Sequence, residues 1–246
     1  MKKTKTEKIL SVNICSSPQG DVTRLIYERL KDGEQTVIFT PNPQILLRAH
    51  RSASYKKTLN SSTLNLPDGI GIVLASKMHG GKIKARISGI DIARTILSLA
   101  EDNGYKLFLL GAKPHIADKA KRALLKEYPA LRICGTHHGY FSKSGKENEA
   151  VIRKIAISAP DIIFVCFGSP QQEEWIKRNK DKLPSVSLYI GLGGSLDVFA
   201  GNVKRAPEIM QKTGLEWLWR TIKEPKRAKI FLDIPIFLFH SLMNKK

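Results

Sequence analysis

Residues 105–114 read Tyr105-Lys106-Leu107-Phe108-Leu109-Leu110-Gly111-Ala112-Lys113-Pro114, an apolar run of strand length that ends in a glycine turn. A helical pattern over 114–128 follows the turn directly. A short apolar strand, a glycine turn and a helix form one βα unit, the building block of a mainly parallel sheet. The turn at Gly111 lacks a complete GxGxxG fingerprint, so an anion-binding turn and an ordinary βα turn both fit it.

Short apolar runs alternate with helical patterns along the rest of the chain as well. Strands are predicted at 9–14, 35–39, 63–65, 106–110, 131–134, 161–167 and 187–190. Helices are predicted at 21–30, 43–52, 69–78, 89–102, 114–128, 146–158, 171–179 and 207–223. This alternation predicts an α/β fold with a mainly parallel sheet flanked by helices. We expect an α/β core over 1–200, with a nucleotide-binding half at about 105–200, and a C-terminal appendage over 201–246.

The charge of the chain points to anionic partners. It carries 41 lysines and arginines against 22 acidic residues, a formal net charge of +19. Nucleic acid, an anionic bilayer and a phosphorylated substrate all suit such an excess. The sequence has no zinc-finger spacing, no RNP-like aromatic motif and no clear helix-turn-helix. These absences argue against a nucleic-acid partner, although charge alone leaves that class open.

The cysteines and the N-terminal residues indicate the cellular compartment in which the protein is expected. Cys15, Cys134 and Cys166 are widely spaced, odd in number and form no CxxC pair, so neither a disulfide framework nor a zinc site is expected. The first five residues are basic and lack the apolar run of a secretory signal. We therefore expect a cytoplasmic protein that meets the inner leaflet if it meets a membrane.

The C-terminal region predicts a helix that lies on a membrane surface. Residues 215–229 combine cationic and aromatic side chains, and the apolar run 230–243 follows them. That run is shorter than the about 20 apolar residues a membrane span needs, and Asp233, Pro235 and His240 interrupt it. An interfacial helix would place aromatic rings at the headgroup level, namely those of Trp217, Trp219, Phe231, Phe237 and Phe239. The alternative is an ordinary C-terminal core helix with a solvated basic face.

The segment 39–44 reads Phe-Thr-Pro-Asn-Pro-Gln and follows a β-branched strand. It places Thr40 and Asn42 at the carboxyl end of that strand, where open α/β sheets bind their ligands. The alternative is helix capping with Pro43 in the first turn, which explains Asn42 well and explains Thr40 and Gln44 less well.

Asp68 is the only acidic residue between Gln35 and Lys82. It follows an apolar strand inside a glycine-rich segment, where burial and neighbouring cations can tune a carboxylate to act as a general base. A simple Pro-Asp-Gly turn is the structural alternative. The basic residues downstream, up to Arg86, form either a solvated face or a cationic wall for phosphates.

Two further segments, 167–175 and 190–197, each follow an apolar strand and are rich in glycine and polar residues. Gly193 and Gly194 allow a backbone to approach a phosphate closely, and successive amides there can bind it. Asp197 is placed to accept hydrogen bonds from a base or a ribose. These segments therefore predict a nucleotide-binding region.

Four motifs in order carry a family resemblance: Thr-Pro-Asn at 40–42, Pro-Asp-Gly at 67–69, Gly-Ser-Pro-Gln-Gln-Glu at 168–173 and Gly-Gly-Ser-Leu-Asp at 193–197. The segments Gly-Asn-Val-Lys-Arg-Ala-Pro at 201–207 and Leu-Glu-Trp-Leu-Trp-Arg at 215–220 match as well. Together they resemble the WecG/TagA/CpsF glycosyltransferase family over about 12–229. As an ordered set the motifs are specific, although each alone is not.

The resemblance implies a Rossmann-like core with a C-terminal appendage that docks on the membrane. It implies transfer of a sugar from a UDP-sugar donor to a polyprenyl-diphosphate-linked acceptor. For the teichoic acid branch, the reaction adds N-acetylmannosamine from UDP-ManNAc to undecaprenyl-diphosphate-GlcNAc through a β-1,4 linkage, which makes the linkage unit of wall teichoic acid. The family inverts the anomeric centre without a metal or another cofactor, and the chain has no DxD motif at the expected site.

Roles for the motif residues follow from the same resemblance. Asp68 would be the general base that deprotonates the 4-hydroxyl of the acceptor. Thr40 and Asn42 would line the sugar pocket, and Gln172 would contact donor or acceptor. Arg86 matches an active-site arginine of the family.

The donor would be held by the glycine segments, at Gly193, Gly194 and Asp197, with the Gly111 turn as a further binding element. Gln171 stands where the family usually has a basic residue, so it and Gln172 could exchange roles. Fixed cations must replace a metal at the leaving diphosphate, and the candidates are Arg220 first and Arg227 second.

Several alternatives stay open. A relative of the same family would use UDP-ManNAc uronate or UDP-glucose. A basic nucleic-acid-binding protein would show steep salt dependence and no turnover. A nicotinamide dehydrogenase fits less well because the glycine fingerprint is incomplete. A catalytically dead scaffold is disfavoured because the motif residues are present. The exposed apolar tail also allows a homo-oligomer in solution.

Overall fold

The computed structural model describes residues 4–223 and 230–244. In these ranges the strands are β1 (Thr6–Ile9), β2 (Val12–Cys15), β3 (Thr36–Phe39), β4 (Leu64–Asn65), β5 (Lys106–Gly111), β6 (Arg132–His137), β7 (Ile162–Cys166) and β8 (Leu188–Gly191). The helices are α1 (Gln19–Lys31), α2 (Pro43–Arg51), α3 (Ala53–Asn60), α4 (Ile70–Met78), α5 (Gly89–Asn103), α6 (Ile116–Glu127), α7 (Gly145–Ser158), α8 (Gln171–Asn179), α9 (Ser195–Phe199), α10 (Glu208–Lys212), α11 (Glu216–Lys223) and α12 (Ile230–Met243). A 3₁₀ turn, Lys180–Lys182, follows α8.

The chain forms two compact units, and neither is a continuous stretch of sequence. The first comprises Met1–Val22, Thr40–Ser88 and Arg205–Lys246. The second comprises Thr23–Phe39 and Gly89–Lys204. Each unit carries some of the motif residues.

The second unit is built on parallel strands in the order β3-β8-β7-β5-β6. Every residue of β7 is buried, and so are all residues of β5 except its first. Strands of a parallel sheet are covered on both faces, which is why they read as continuous apolar runs rather than alternating ones. The predicted α/β fold with a mainly parallel sheet flanked by helices is confirmed.

The first unit contains the antiparallel hairpin β1-β2 and the helices α2 to α4 and α10 to α12. One strand was expected at 9–14, and that prediction is wrong because Leu10 and Ser11 form the hairpin turn with positive φ angles of 48° and 65°. Two-residue hairpin turns need such angles, and glycine or asparagine normally signals them. An apolar run without either residue therefore hid the turn.

Two helix predictions in the first unit also need correction. The helix α3 was not expected, because 53–60 shows little helical periodicity. The single helix expected over 207–223 is split into α10 and α11 at Gly214, whose φ is 76°. A Cβ at Gly214 would lie 2.9 Å from Cβ of Ile70, so the chain turns there in close contact with α4.

The C-terminal helix α12 packs against α2 and α4. Phe237 is fully buried, so its predicted position at a membrane headgroup level is wrong. Gln44 Nε2 donates to Asp233 Oδ2 over 2.6 Å, and His79 Nε2 lies 2.9 Å from Ser241 Oγ. One face of α12 therefore belongs to the core of this unit, as the alternative interpretation of the tail expected.

The opposite side of α12 is apolar and exposed. Its exposed side chains include Phe231, Leu232, Ile236, Phe239, Leu242 and Met243. Pro235 lies within the helix, where it removes one backbone donor. Among the residues that the structure describes, no helix is both long and apolar enough to cross a membrane.

A histidine pair lies where α2 and α12 meet. The rings of His50 on α2 and His240 on α12 lie 5.0 Å apart, and burial, His240, Lys56 and Arg51 together lower the pKa of His50. A histidine with a lowered pKa binds its proton more readily in the unfolded chain, so stability is lost as the pH falls through about 6.5. Thermal melting from pH about 8 to about 5.5 should show this loss, and His50→Gln should reduce it.

The matched control is His115→Asn, at an exposed position ahead of α6. This variant should keep the pH dependence of the unmodified chain. Equal pH dependence in the His50→Gln variant would contradict the assignment.

Candidate active site

Backbone hydrogen bonds join three of the motif segments in the first unit. The amide of Asp68 donates to the carbonyl of Pro41 over 3.0 Å. The amide of Ile87 donates to the carbonyl of Pro67 over 2.8 Å. The segment of Thr40 and Asn42, the Asp68 turn and the segment that begins at Arg86 therefore lie side by side. Residues separated by more than 40 positions in sequence are brought together in this way.

Asn42 caps the amino end of α2, as the capping interpretation predicts. Its Oδ1 accepts a hydrogen bond from the amide of Ile45 over 3.0 Å, and Pro43 occupies the first turn of α2. This bond satisfies one of the amides that a helix start leaves unpaired. Thr40, two residues earlier, is half-buried. The cap fixes the position of Asn42 at the edge of this segment.

The Asp68 turn depends on the glycines that follow it. Gly69 has a φ of 100°, which side-chain-bearing residues rarely adopt, and a Cβ at Gly71 would lie 2.6 Å from Cγ of Pro43. The turn is therefore pressed against the start of α2. Asp68 itself is half-buried and precedes α4, whose amino end favours a negative charge.

Arg86 is held by the C-terminal segment of the same unit. Its Nη2 donates to the carbonyl of Gln211 over 2.5 Å, and its Nη1 lies 3.4 Å from Oε2 of Glu216. The other carboxylate oxygen of Glu216 lies 3.7 Å from Nε of Arg205. Glu216 is only 7% exposed, so it places a buried negative charge between two arginines. This arrangement orients Arg86 and fastens α11 at its first residue.

The two arginines that were expected to stabilise the leaving diphosphate belong to the C-terminal region. The backbone of Arg220 lies in α11, one helical turn after Glu216. Arg227 lies outside the described residues. Both therefore remain predictions from the sequence.

In the second unit, Gly111 ends β5 where it runs beside the end of β7. Its φ is 140°, and a Cβ there would lie 2.4 Å from the carbonyl oxygen of Cys166. The next amide, that of Ala112, donates to the same carbonyl over 3.0 Å. The glycine is therefore required by this close backbone approach.

Gln172 joins the two glycine segments of the second unit. Its side chain is 3% exposed; its Oε1 accepts from the amide of Gly193 over 2.8 Å and its Nε2 donates to Glu173 over 2.9 Å. Gln171, in contrast, is exposed at the start of α8. The segments 168–173 and 193–197, predicted separately, are thus brought together through the buried glutamine.

The turn that Gln172 holds leads into α9. Gly193 has a φ of 55°, and Gly194 is exposed ahead of the helix. Asp197 is half-buried in the first turn of α9, and its carbonyl accepts from the amide of Asn202 over 2.9 Å. The backbone of this segment is therefore fixed on both sides, while its glycines remain open to an approaching group.

Three residues of these clusters were not predicted from the sequence: Glu173, Arg205 and Glu216. Glu173 falls in a polar stretch that is typical of a solvated helix face, whereas Glu216 follows Leu215 and precedes Trp217. The useful signal was their position inside family motifs, since burial cannot be read from a single acid in sequence.

The cysteines and the metal-binding side chains form no joint centre in the described ranges. Cys15, Cys134 and Cys166 are free thiols, and burial raises the pKa of each. Across the same residues, no group of three or more His, Cys, Asp and Glu side chains is arranged to hold a metal ion. The polar clusters described above are therefore the candidates for chemistry.

A parallel α/β unit with glycine turns at its strand ends, such as the second unit, is typical of nucleotide-binding proteins. The first unit, taken by itself, combines a carboxylate turn with half-buried arginines. The sequence model of the glycosyl transferase WecG/TagA/CpsF family matches residues 7–246, and the chain belongs to this family. It is a glycosyltransferase.

Characterised relatives cover most of the chain. N-acetylglucosaminyldiphosphoundecaprenol N-acetyl-beta-D-mannosaminyltransferase of Bacillus subtilis (strain 168) is 38% identical over 210 residues, which is 85% of this chain and 80% of that protein. The proteins of the same name from Bacillus spizizenii and Staphylococcus aureus (strain MW2) are 35% and 38% identical. They cover 92% and 85% of this chain, and the matches span 86% and 80% of their own lengths.

The close approach at Gly111 gives a direct test of the geometry of the second unit. Gly111→Ala should lower the free energy of unfolding by about 2–4 kcal/mol, because the added Cβ meets a carbonyl oxygen at a strained φ. Denaturant unfolding would measure the loss. Gly20→Ala, in α1 with no atom near its Cβ, should be neutral or stabilise by up to about 1 kcal/mol. Equal stability of the two variants would contradict the close approach.

Proposed function

We propose that this chain transfers N-acetylmannosamine from UDP-ManNAc to the GlcNAc of undecaprenyl-diphosphate-GlcNAc. The β-1,4-linked product is the linkage unit of wall teichoic acid. The observation that carries this proposal is the match to relatives named for this transfer, which extends over at least 80% of each of those proteins. The hydrogen-bonded arrangement of the Asp68 turn with the Thr40 and Arg86 segments supports it independently.

Asp68 would act as the general base. It takes the proton from the acceptor 4-hydroxyl as that oxygen attacks the anomeric carbon of the donor. The new carbon–oxygen bond forms on the face opposite the leaving UDP, whose bond to the same carbon breaks, so the configuration inverts in one step. One carboxylate is sufficient for this chemistry, because no covalent intermediate has to be formed and broken. Thr40 and Asn42 would line the sugar pocket beside it.

The leaving diphosphate develops negative charge that fixed cations must stabilise. Arg86 is a candidate for such a cation, since Glu216 and the carbonyl of Gln211 orient its guanidinium. Arg220 and Arg227 would add to it from the C-terminal segment. Guanidinium groups suit this task because their forked donors match phosphate oxygens.

The second unit would hold the donor nucleotide. The backbone at Gly193 and Gly194 is open to a diphosphate, and the Gly111 turn would be a further binding element for the donor. Asp197 would accept from the ribose or the base. Gln172 would hold the Gly193 turn in place, which leaves the exposed Gln171 as the residue available to touch substrate directly.

The C-terminal region would bring the enzyme to its lipid-linked acceptor. The exposed apolar side of α12 can enter the headgroup region of a bilayer, while the net charge of +19 attracts anionic lipids. We therefore place the protein on the inner face of the cell membrane as a peripheral enzyme. In solution, the same apolar side favours association of two or more copies.

The role of Asp68 is tested by Asp68→Asn. We expect turnover with UDP-ManNAc and a lipid-diphosphate-GlcNAc analogue to fall about 10²–10⁴-fold, because the amide cannot take the proton, while affinity for UDP stays the same. UDP release and calorimetric UDP binding measure the two quantities.

Asp102→Asn, at an exposed position on α5, is the control and should retain full turnover. Parallel assays with UDP-ManNAc uronate and UDP-glucose identify the donor. Unchanged turnover in Asp68→Asn would refute the base assignment, and turnover with another donor alone would refute the proposed donor sugar.

Membrane docking is tested at the outward positions of α12. Leu232 and Phe239 are 67% and 61% exposed, so Leu232→Glu with Phe239→Glu should preserve the fold while removing apolar contact and adding repulsion from acidic lipids. We expect co-sedimentation with vesicles of phosphatidylglycerol and phosphatidylcholine to fall about tenfold or more. Ile157→Glu, at an exposed apolar position on α7, should bind like the unmodified protein. Undiminished binding by the double variant would contradict the docking surface.

A further inference from the structure

A buried carboxylate in the second unit has no place in the chemistry described so far. Glu173 is 1% exposed, although it lies in the polar run Gln171-Gln172-Glu173-Glu174 at the start of α8. One of its oxygens, Oε1, accepts from Ser169 Oγ over 2.6 Å and from Gln172 Nε2 over 2.9 Å. Burying a carboxylate is costly unless hydrogen bonds compensate for the lost water, and these two bonds do so for Oε1.

The hydrogen bonds of Glu173 fix which way the Gln172 amide points. In the structure the Nε2 side of the Gln172 amide faces Glu173, whose oxygen accepts from it as an ionised carboxylate does. The carbonyl Oε1 must then point to the amide of Gly193, from which it accepts over 2.8 Å. The space around the Gln172 amide is also tightly packed, because a Cβ at Gly191 would lie 2.9 Å from Gln172 Nε2. A reversed amide would set two donors against each other at Gly193.

We propose that Glu173 is a positioning residue for the donor: it acts through Gln172 to hold the Gly193–Gly194 turn in the conformation that receives the diphosphate of a nucleoside-diphosphate sugar. This inference rests on the proposed function, since it takes the donor to bind at that turn. Glu173 touches no substrate in this scheme. Ser169 supports it by donating to the same oxygen.

The test measures UDP binding by calorimetry and donor kinetics with the full chain. Glu173→Met keeps the length of the side chain but removes the acceptor, so the Kd for UDP should rise about 10–100-fold. The donor KM should rise in parallel while kcat changes little, because the turn binds the diphosphate in ground and transition states alike. Glu173→Gln retains one acceptor oxygen and should restore most of the affinity.

Two comparisons separate positioning from a general loss of structure. Glu174→Met changes the exposed neighbour on the same helix and should leave the Kd unchanged. If Glu173 acts through Gln172, the double variant Glu173→Met with Gln172→Met should bind UDP no more weakly than Gln172→Met alone. Circular dichroism establishes that each variant is folded. Should Glu173→Met fail to fold, Ser169→Ala leaves the carboxylate in place and should raise the Kd about threefold.

The outcomes distinguish this inference from the proposed function. An unmodified chain that binds no UDP overturns both. UDP binding by the unmodified chain together with an unchanged Kd in folded Glu173→Met, or in Ser169→Ala where that variant replaces it, overturns the inference alone. Additive losses in the double variant also overturn it, because they would show that Glu173 acts independently of Gln172.

Discussion

The parallel pairing of β5, β7 and β8 is the constraint on which the second unit depends. Gly111 is paired with Cys166, and Val165 with Gly191, so three strands release the chain at one edge of the sheet. The turns that follow these strands therefore begin close to one another. The side chain of Gln172 alone is long enough to reach the Gly193 amide. Moving any of these strands by one residue would turn its buried side chains to the opposite face and separate the turns.

In the first unit, loops rather than strand ends bring the motif segments together. Within its described residues the strands are at most four residues long, and backbone hydrogen bonds such as that from Asp68 to Pro41 hold its motif segments together. Close contacts at Gly71 and Gly214 leave no room for a side chain, so the loops are fixed by packing as much as by hydrogen bonding. Glu216 then links Arg86 to α11, which makes an arginine early in the chain depend on a carboxylate near its end.

The sequence allowed the parallel sheet and most helices to be predicted, because strands such as β7 are uninterrupted apolar runs and helices such as α2 have clear starts. It did not reveal the hairpin at Leu10 and Ser11, since neither residue signals a positive φ. The motif residues were found through their order along the chain. The buried acids Glu173 and Glu216 were missed because burial is a property of the folded surroundings, and a single acidic residue in sequence does not reveal it.

The packing of α12 couples two properties that are usually adjusted separately. Its inward residue Phe237 fills the core of the first unit, while outward residues such as Phe239 stay exposed. A chain shortened before this helix would lose core packing together with any affinity for lipid, so its loss of activity would have two causes. Mutations that tune attachment without loss of stability should therefore accumulate on the outward side, and inward positions should tolerate only changes that keep side-chain volume.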